Sequence, residues 1–333
     1  MPRLRLGKIE RRLLENLVLR KLGATRRDIL VGPAYGEDAA VIKVGGERLV
    51  VSADPITGAG RMVGWLSVHI NANDVAVAGG RPRWFSPIIL LPEDSSEEDL
   101  GMMVDEIDRA SRELGVAVAT GHTEVAPGIT HPIIAGFMVG PLVSSKPIRS
   151  SGARKGDLIV MWGWAGVEGT AILAQDMAER LRGRLPQKVL ENASRLMEKI
   201  SVVRPALRLA RRNIANAMHD PTEGGVLGGV YEMAEASGRQ IRLYGERIPV
   251  AEETREICRV LGCDPLRLIS SGALIASVPR RYAGLLHGFK VVGEVGGRGG
   301  GVILVREGGE ERVDEPPQDE LWRLLEEAYR TTF

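Results

Sequence analysis

The sequence predicts a two-domain protein of the α/β or α+β class. Apolar residues at helical spacing alternate along the chain with short apolar runs that are typical of strands, a mixture that excludes a helical bundle and a β-sandwich. The length of 333 residues favours two domains, each large enough to bury its own core. Between two halves of similar content lies a polar stretch without periodicity, residues 147–156. We therefore expect domains at 1–150 and 151–333.

The first half opens with an amphipathic pattern. Residues 8–22 carry apolar side chains at helical spacing and end at Gly23, which predicts a helix. Two apolar runs, 39–43 and 49–53, flank a Gly-Gly turn and predict a β-hairpin. The same signals predict the other elements of this half: helices at 64–78 and from Ser95 to 114, and strands at 84–91, 116–119 and 133–143.

The second half repeats this mixture of elements. The patterns predict helices at 167–181, 187–198, 204–216, 225–237, 252–261 and 318–330, and strands near 157–160, 240–244, 273–278, 289–295 and 302–306. A run rich in glycine at 296–301 invites a phosphate-loop interpretation, but no helix follows it. We interpret this run as a hairpin turn between two strands.

Charge and composition exclude several classes of function. The 44 Lys and Arg residues against 43 Asp and Glu residues leave a net charge of +1, so we expect neither nucleic acid nor a membrane surface as a partner. The longest uncharged run, 125–145, is interrupted by Pro and Gly and does not predict a membrane span. The N-terminus lacks a secretory apolar core, so we expect a cytoplasmic protein.

Cys258 and Cys263 are the only two cysteines. Without a nearby His or a second Cys pair they cannot form a structural zinc site. We expect buried thiols that serve packing. A local disulfide is the alternative.

Several acidic residues lie at the ends of predicted elements in the first half. Asp38 opens the first strand of the hairpin and Asp54 closes the second, so both fall at the same end of it, while Asp74 lies in the next helix. Converging carboxylates repel one another unless a cation joins them. Hard oxygen ligands of this kind suit a Mg²⁺ ion that carries a nucleotide phosphate. The alternative is that each Asp caps a turn or a helix separately.

A second cluster, residues 219–226, enters a predicted helix. Thr222 or Asp220 can cap this helix, and Gly224 and Gly225 would let a phosphate approach free amide N–H groups at the positive helix end. The alternative is an ordinary capped helix start.

A third cluster follows the strand at 116–119 and contains His122 and Thr123. A single histidine without a fixed partner fits either a catalytic role or a structural hydrogen bond. The sequence leaves both interpretations open.

Taken in order, these segments resemble the AIR synthase related (PurM-like) superfamily. That superfamily includes AIR synthase, selenophosphate synthetase, thiamine-monophosphate kinase and the hydrogenase-maturation carbamoyl dehydratase HypE, which the segment at 219–226 resembles most. The segments that carry the resemblance are Gly36-Glu37-Asp38-Ala39-Ala40-Val41-Ile42, Ser52-Ala53-Asp54, Asn73-Asp74-Val75-Ala76-Val77-Ala78-Gly79-Gly80-Arg81-Pro82, Gly121-His122-Thr123 and His219-Asp220-Pro221-Thr222-Glu223-Gly224-Gly225.

The resemblance implies a homodimer whose N-terminal domains join their sheets into a shared β-barrel. It implies ATP and Mg²⁺ at the edge of that barrel, with the C-terminal domain closing over them, and a reaction in which ATP phosphorylates a substrate. The resemblance also implies the roles of individual residues: catalytic Asp54, His122, His219 and Asp220; nucleotide-binding Asp38, Asn73, Asp74, Thr123, Thr222, Gly224 and Gly225; and metal-binding Asp38, Asp54, Asp74 and Asp220.

Two departures from HypE leave the reaction open. HypE carries its substrate group on a C-terminal cysteine, whereas this chain ends in Thr331-Thr332-Phe333, so we expect that deleting these three residues leaves activity intact. HypE also has an Asp where His122 stands. The resemblance thus implies an ATP-dependent enzyme that activates a small-molecule or carbamoyl-type substrate by γ-phosphate transfer, in hydrogenase or cofactor maturation. The alternatives are a kinase like the thiamine-monophosphate enzyme and a non-catalytic ATP-binding maturation partner.

Overall fold

The structure is a computed structural model that describes residue 4, residues 7–57 and residues 62–330. Each half of the chain builds one mixed sheet of seven strands, which confirms the predicted fold class. The first half contains α1 (Arg11–Leu13) with a π-helical turn (Leu14–Val18), β1 (Ile29–Val31), β2 (Ala40–Val44), β3 (Glu47–Ile56), α2 (Val63–Val77), β4 (Trp84–Leu91), α3 (Glu97–Leu114), β5 (Ala117–Val118), β6 (His122–Val125) and β7 (Ile133–Pro141).

The first sheet has the strand order β1-β2-β3-β7-β4-β5, with β6 also paired to β4. The predicted hairpin is β2 and β3, whose register pairs Ala40 with Val51, so the residues before β2 and at the end of β3 share one edge. Helix α2 is buried along its whole length, because β3 and β7 cover one side and α3 the other. Gly64 permits this contact, since a Cβ there would lie 2.3 Å from the carbonyl oxygen of Met103.

The face of the first sheet opposite α2 is apolar and uncovered in the single chain. Along β7 the side chains alternate, with Ile134 and Met138 buried toward α2 and Phe137 turned the other way, 42% exposed. Trp84 at the start of β4 and Val44 at the end of β2 are also exposed. A sheet with one covered face and one apolar uncovered face is a candidate interaction surface.

The second sheet has the strand order β14-β13-β10-β12-β8-β11-β9. A continuous cluster of buried apolar side chains includes residues of both halves, among them Val41 and Leu274. The elements of this half are β8 (Leu158–Trp162), α4 (Val167–Asp176), α5 (Ala178–Leu181), α6 (Gln187–Arg195), α7 (Val203–Arg212), β9 (Ala217–His219), α8 (Gly225–Ser237), β10 (Arg239–Tyr244), α9 (Glu252–Leu261), β11 (Leu274–Val278), β12 (Lys290–Arg298), β13 (Val302–Arg306), β14 (Gly309–Val313) and α10 (Glu320–Arg330).

The glycine-rich run at 296–301 does not form the predicted hairpin turn. Strand β10 lies between β12 and β13, antiparallel to the first and parallel to the second, so the run crosses the end of β10. The amide of Gly299 donates to the carbonyl of Gly238, and that of Gly301 donates to Glu235. These bonds fix the crossing, and the prediction of adjacent paired strands is wrong.

Other predictions needed adjustment at their ends. The helix expected at 8–22 covers only Arg11–Val18, and Leu17 and Val18 remain exposed. The helix expected at 204–216 ends at Arg212, because Asn213 takes a left-handed conformation with φ 52°. Four short strands were not predicted, namely β1, β6, β9 and β14. The prediction that residues 331–333 are dispensable for activity concerns residues outside the described part of the chain.

Both cysteines are free, and Cys258 is buried, so the disulfide alternative is wrong. None of the helices in the described ranges has the length and hydropathy that crossing a membrane would require.

Candidate active site

The candidate site lies where the two halves of the chain meet, and His219 is its central group. His219 is buried at the end of β9. Its Nδ1 lies 2.7 Å from a carboxylate oxygen of Asp38, a residue that comes just before β2. Its Nε2 lies 2.8 Å from Glu232, on α8. Burial favours the neutral ring, but the two carboxylates outweigh burial and hold the pKa of His219 well above its usual range. The imidazolium therefore joins the halves through two charged hydrogen bonds.

The residue before Asp38 provides a second link between the halves. Glu37 accepts hydrogen bonds from the hydroxyl of Ser151 (2.7 Å) and from the amide of Ser150 (3.2 Å). Asp38 and Glu37 therefore contact two different parts of the second half. Together they set how β2 meets the second half.

Asn73 links the halves from α2. Its amide nitrogen donates to the carbonyl of Ile200 (2.9 Å), and its carbonyl oxygen accepts from the amide of Val202 (2.8 Å). Both polar ends of this side chain are used to hold the 200–202 segment. Asn73 therefore joins α2 to the second half through both ends of its side-chain amide, and its role in nucleotide binding stays a prediction.

Three further aspartates converge beside Asp38. Asp54 lies on β3, Asp74 on α2 and Asp220 directly after β9, and the last two are 7% and 2% exposed. Burial is the largest cause that raises the pKa of each, to about 6 for Asp54, and the neighbouring carboxylates add to it. Among the residues that the structure describes, both carboxylate oxygens of Asp220 lack a hydrogen-bond partner. The structure therefore brings the four sequence-predicted acids together.

These acids fit a divalent cation by their chemistry, although they do not form a closed ligand set. Across residues 7–57 and 62–330, no three His, Cys, Asp or Glu side chains are arranged to hold a metal ion. Mg²⁺ bound with a nucleotide needs only one or two carboxylates, because phosphates and water supply the other ligands. The unpartnered oxygens of Asp220 beside Asp74 are the groups that such a cation would complete.

Lys8 supplies positive charge to the site, which the sequence did not predict. Its ammonium lies 3.6 Å from Glu232, and its backbone amide donates to Glu223 (2.9 Å). Partial burial of its side chain opposes its charge, but Glu232, Asp38 and Glu223 outweigh this effect and raise the pKa of Lys8. Burial likewise opposes ionisation of Glu232, yet Lys8 and His219 lower the pKa of that carboxyl to about 2. Glu232 and Lys8 are thus both charged.

The loop before α8 differs from its prediction. The amide of Gly224 donates to Asp319 (2.7 Å) and that of Gly225 donates to the carbonyl of Thr222 (3.0 Å), so neither is free. No side chain caps α8, so the predicted caps by Thr222 or Asp220 are wrong. The two glycines serve the backbone instead: φ is positive at both, and a Cβ on Gly225 would lie 2.5 Å from the carbonyl of Leu266.

His122 and Thr123 lie on β6, and both are exposed. Nε2 of His122 lies 3.1 Å from the carboxylate of Glu124, two residues along the same strand. In this structure His122 therefore lies beside Glu124 and not beside an acid of the site, and its catalytic role stays a prediction.

Two signals could have identified the groups that sequence reasoning missed. Glu232 is one of two charged residues of α8, a helix that is otherwise largely apolar and buried, and a charged residue in such a helix needs a partner. Glu168 is its counterpart in the buried first turn of α4. Lys8 gives no comparable signal, since its neighbours in sequence are Gly7 and Ile9 and its acidic partners are distant in the chain.

Comparison with known proteins gives a consistent result along the chain. The sequence profiles of the AIR synthase related protein match residues 36–142 (N-terminal domain) and 154–306 (C-terminal domain). A putative hydrogenase expression/formation protein of Methanocaldococcus jannaschii is 31% identical, covering 83% of this chain and 82% of that protein. The carbamoyl dehydratase HypE of Rhizobium leguminosarum is 30% identical over 73% of this chain and 69% of its own.

Among solved structures, the fold is similar to that of the hydrogenase maturation protein HypE in complex with ATP. The TM-score is 0.72 at 26% identity, and the match covers 96% of this chain and 98% of HypE. These matches confirm the expected superfamily, and they confirm the prediction that the chain is an enzyme. The chain belongs to the AIR synthase related protein family, with both its N-terminal and its C-terminal domain.

Proposed function

We propose that this chain is an ATP-dependent enzyme that transfers the γ-phosphate of ATP to a carbamoyl-type or other small acceptor during hydrogenase or cofactor maturation. The observation that carries the proposal is the buried carboxylate of Asp220, which lies near Asp54 and Asp74 and whose two oxygens have no hydrogen-bond partner in the described part of the chain. Leaving such a group unpaired is costly unless a ligand completes it. The relatives named above, a carbamoyl dehydratase and an ATP-bound HypE, support the same reaction class.

In this proposal one or two carboxylates of the set Asp38, Asp54, Asp74 and Asp220 bind Mg²⁺, and the phosphates of ATP and water supply its other ligands. The cation would neutralise charge on the phosphates, which is most of what phosphoryl transfer requires from a protein. His219 keeps Asp38 oriented by a charged hydrogen bond, since its other nitrogen is anchored on Glu232. Lys8 adds a positive charge next to the same acids. These residues position and neutralise charge, and none of them needs to form a covalent bond.

We also propose that the working unit is a homodimer built on the uncovered face of the first sheet. Phe137 and Trp84 are 42% and 41% exposed there, although large aromatic side chains on one sheet face are normally covered. A second copy of the same face supplies matching apolar surface and would close the shared barrel.

Light scattering should give a dimer, and Phe137→Asp should give a monomer, while Val291→Asp on the second sheet should leave the dimer intact. A wild-type monomer at micromolar concentration would contradict the proposal.

The reaction is tested by incubating the full chain with ATP and Mg²⁺ and measuring ADP, inorganic phosphate and phosphorylated products by mass spectrometry. We expect slow ADP release that is abolished in Asp220→Asn and retained in Asp94→Asn, whose side chain is exposed and remote in sequence. Inorganic phosphate as the sole phosphate product supports a dehydrating enzyme, and a phosphorylated metabolite supports a kinase. Tight ATP binding without turnover across a metabolite panel would support the non-catalytic maturation partner instead.

A further inference from the structure

A cleft between the two halves has no part in the chemistry described so far. It has a volume of about 470 Å³ and is lined by Glu113 and Leu114 of α3, from the first half, and by residues of α7, from the second. None of its lining residues belongs to the acid cluster around Asp220. A concave volume of this size is typical of small-molecule sites, which measure roughly 300–1,000 Å³.

The lining of this cleft is strongly basic. Helix α7 contributes Arg204, Arg208, Arg211 and Arg212, which lie on one face because their positions follow the helical repeat. Across residues 7–57 and 62–330, none of the four guanidinium groups forms an ion pair with a carboxylate. Four arginines against the single acid Glu113 leave a formal charge of +3 in the lining. The cleft therefore attracts anions.

Arg208 is held in one position at the edge of this cleft. Its guanidinium carbon lies 5.3 Å from the ring centroid of Trp162 and 5.1 Å from that of Phe289, and its Nη2 donates to the carbonyl of His287 (2.6 Å). Gly288 keeps this loop against the indole, since a Cβ there would lie 2.4 Å from the ring of Trp162. Two ring contacts and a hydrogen bond fix the planar group before any ligand arrives.

One N–H of this fixed group is unused. The Nε atom of Arg208 is buried and has no hydrogen-bond acceptor within the described ranges. A buried donor without an acceptor is costly, and a ligand oxygen would remove that cost. Because the side chain is already ordered, binding such an oxygen loses little side-chain entropy.

Helix stability explains only part of the arginine cluster. Arg211 and Arg212 lie in the last turn of α7, where the helix dipole stabilises positive charge. Arg204 lies in the first turn, where the dipole opposes positive charge, and its side chain is exposed without an ion pair. An anion bound between Arg204 and Arg208 would offset this unfavourable placement.

We propose that this cleft binds a small phosphorylated molecule with at least two phosphate groups and an apolar part, at a site separate from that of ATP. Guanidinium groups match phosphate oxygens in geometry and charge, and the charge of the lining suits more than one phosphate. Leu114, Val203 and Leu207 supply the apolar surface. A small molecule fits better than an acidic protein segment, because the four arginines lie around one concave volume and within one short helix. The inference does not depend on the proposed function.

The test is calorimetry of the full chain with inorganic pyrophosphate and with dimethylallyl diphosphate, in EDTA so that no metal occupies the acid cluster. Both probes should bind, the second more tightly because of its apolar part. The double variant Arg204→Gln, Arg211→Gln should weaken binding at least tenfold. The control Arg27→Gln, Arg182→Gln removes the same charge at exposed positions outside the cleft and should stay within twofold. Glu113→Gln should tighten binding at least twofold, since it removes a repelling carboxylate.

Arg208→Lys separates the fixed guanidinium from charge alone. It keeps the positive charge but loses the planar group, so both probes should bind at least threefold more weakly than to wild type. Should this variant fail to fold, the two exposed double variants and Glu113→Gln still decide. Equal loss of binding in the two double variants would show that only overall charge attracts the probes and would overturn the inference. No binding of either probe to the wild type, or binding of hexaglutamate in their place, would also overturn it.

Discussion

The junction of the two halves and the interior of the first half each bury a histidine, in opposite ways. His219 at the junction lies between two carboxylates, which hold its pKa well above the usual range. Among the described residues, His69 on α2 has no hydrogen-bond partner on either ring nitrogen. Its ring packs against Trp65 with the centroids 4.3 Å apart and the planes tilted by 45°. Burial and the charge of Arg109 lower the pKa of His69 to about 4. Both histidines are therefore buried, and only the carboxylate partners of His219 make it a charged link between the halves.

The comparison of the two histidines also distinguishes the buried polar groups of a functional site from those that only fill space in the interior. At the junction, the acids that remain unsatisfied belong to the same network as His219, and a ligand can complete them. In the interior of the first half, the neutral imidazole of His69 fills space beside an aromatic ring and needs no charge. The number of buried polar groups is therefore a weaker indicator of a functional site than the arrangement of their charges around a carboxylate that lacks a hydrogen-bond partner.

The largest effect should come from removing the charged link at the junction. His219→Ala leaves the largely buried carboxylates of Asp38 and Glu232 without the group that joins them, and breaking a buried ion pair in this way costs about 3–5 kcal/mol. We expect a loss of this size in the free energy of unfolding, measured with urea at pH 7. The matched control is His131→Ala, an exposed histidine, which should change stability by less than about 0.5 kcal/mol. Equal effects for both variants would contradict the link.

A smaller effect should appear as acid sensitivity of the first half. In the unfolded chain His69 takes up a proton near pH 6.5, whereas the folded chain resists it down to about 4. Its contribution to stability is therefore present above pH 6.5 and is lost as the pH falls toward 4, in total about 3 kcal/mol. In His69→Phe, the free energy of unfolding measured with urea should therefore change less between these two pH values than it does in the wild type. An equal change in both proteins would show that His69 is protonated in the folded protein.

The smallest effect concerns Lys8, whose side chain is 53% exposed although its ammonium faces the acids of the junction. Because water screens a half-exposed ion pair, Lys8→Met should destabilise the protein by about 1 kcal/mol or less. The same change removes a charge that lowers the pKa of Asp54, so that pKa should rise further, as NMR titration can show. Lys21→Met, at an exposed position, should change neither quantity.

The sequence predicted the long elements well and the short ones poorly. The strand at 84–91 and the helices α8 and α9 have the predicted bounds, because each has a clear period and a glycine or turn at its end. Strands β1, β6, β9 and β14 have only three to five residues, too few to show alternation. The glycine run at 296–301 was misinterpreted because strand order depends on β10, which local sequence does not report.

The candidate site was predicted in part for a similar reason. Asp38 and Asp54 could be placed together because a hairpin has a fixed geometry, and the structure brings both to the junction. Lys8, Glu168 and Glu232 come from remote parts of the chain, and only the packing of the two halves brings them near. Gly224 was assigned a free amide because the sequence could not show that Asp319 reaches it.

The most direct test of the account is whether the converging acids hold a nucleotide together with its metal. Calorimetry of ATP with Mg²⁺ should show that Asp54→Asn weakens binding at least about tenfold, or ~1.4 kcal/mol, without a change in the unfolding midpoint. Removing Mg²⁺ should weaken binding to wild type and much less to the variant, while Asp94→Asn behaves as wild type. Unchanged ATP affinity in Asp54→Asn with Mg²⁺ present would show that these aspartates only cap turns, and the account would be wrong.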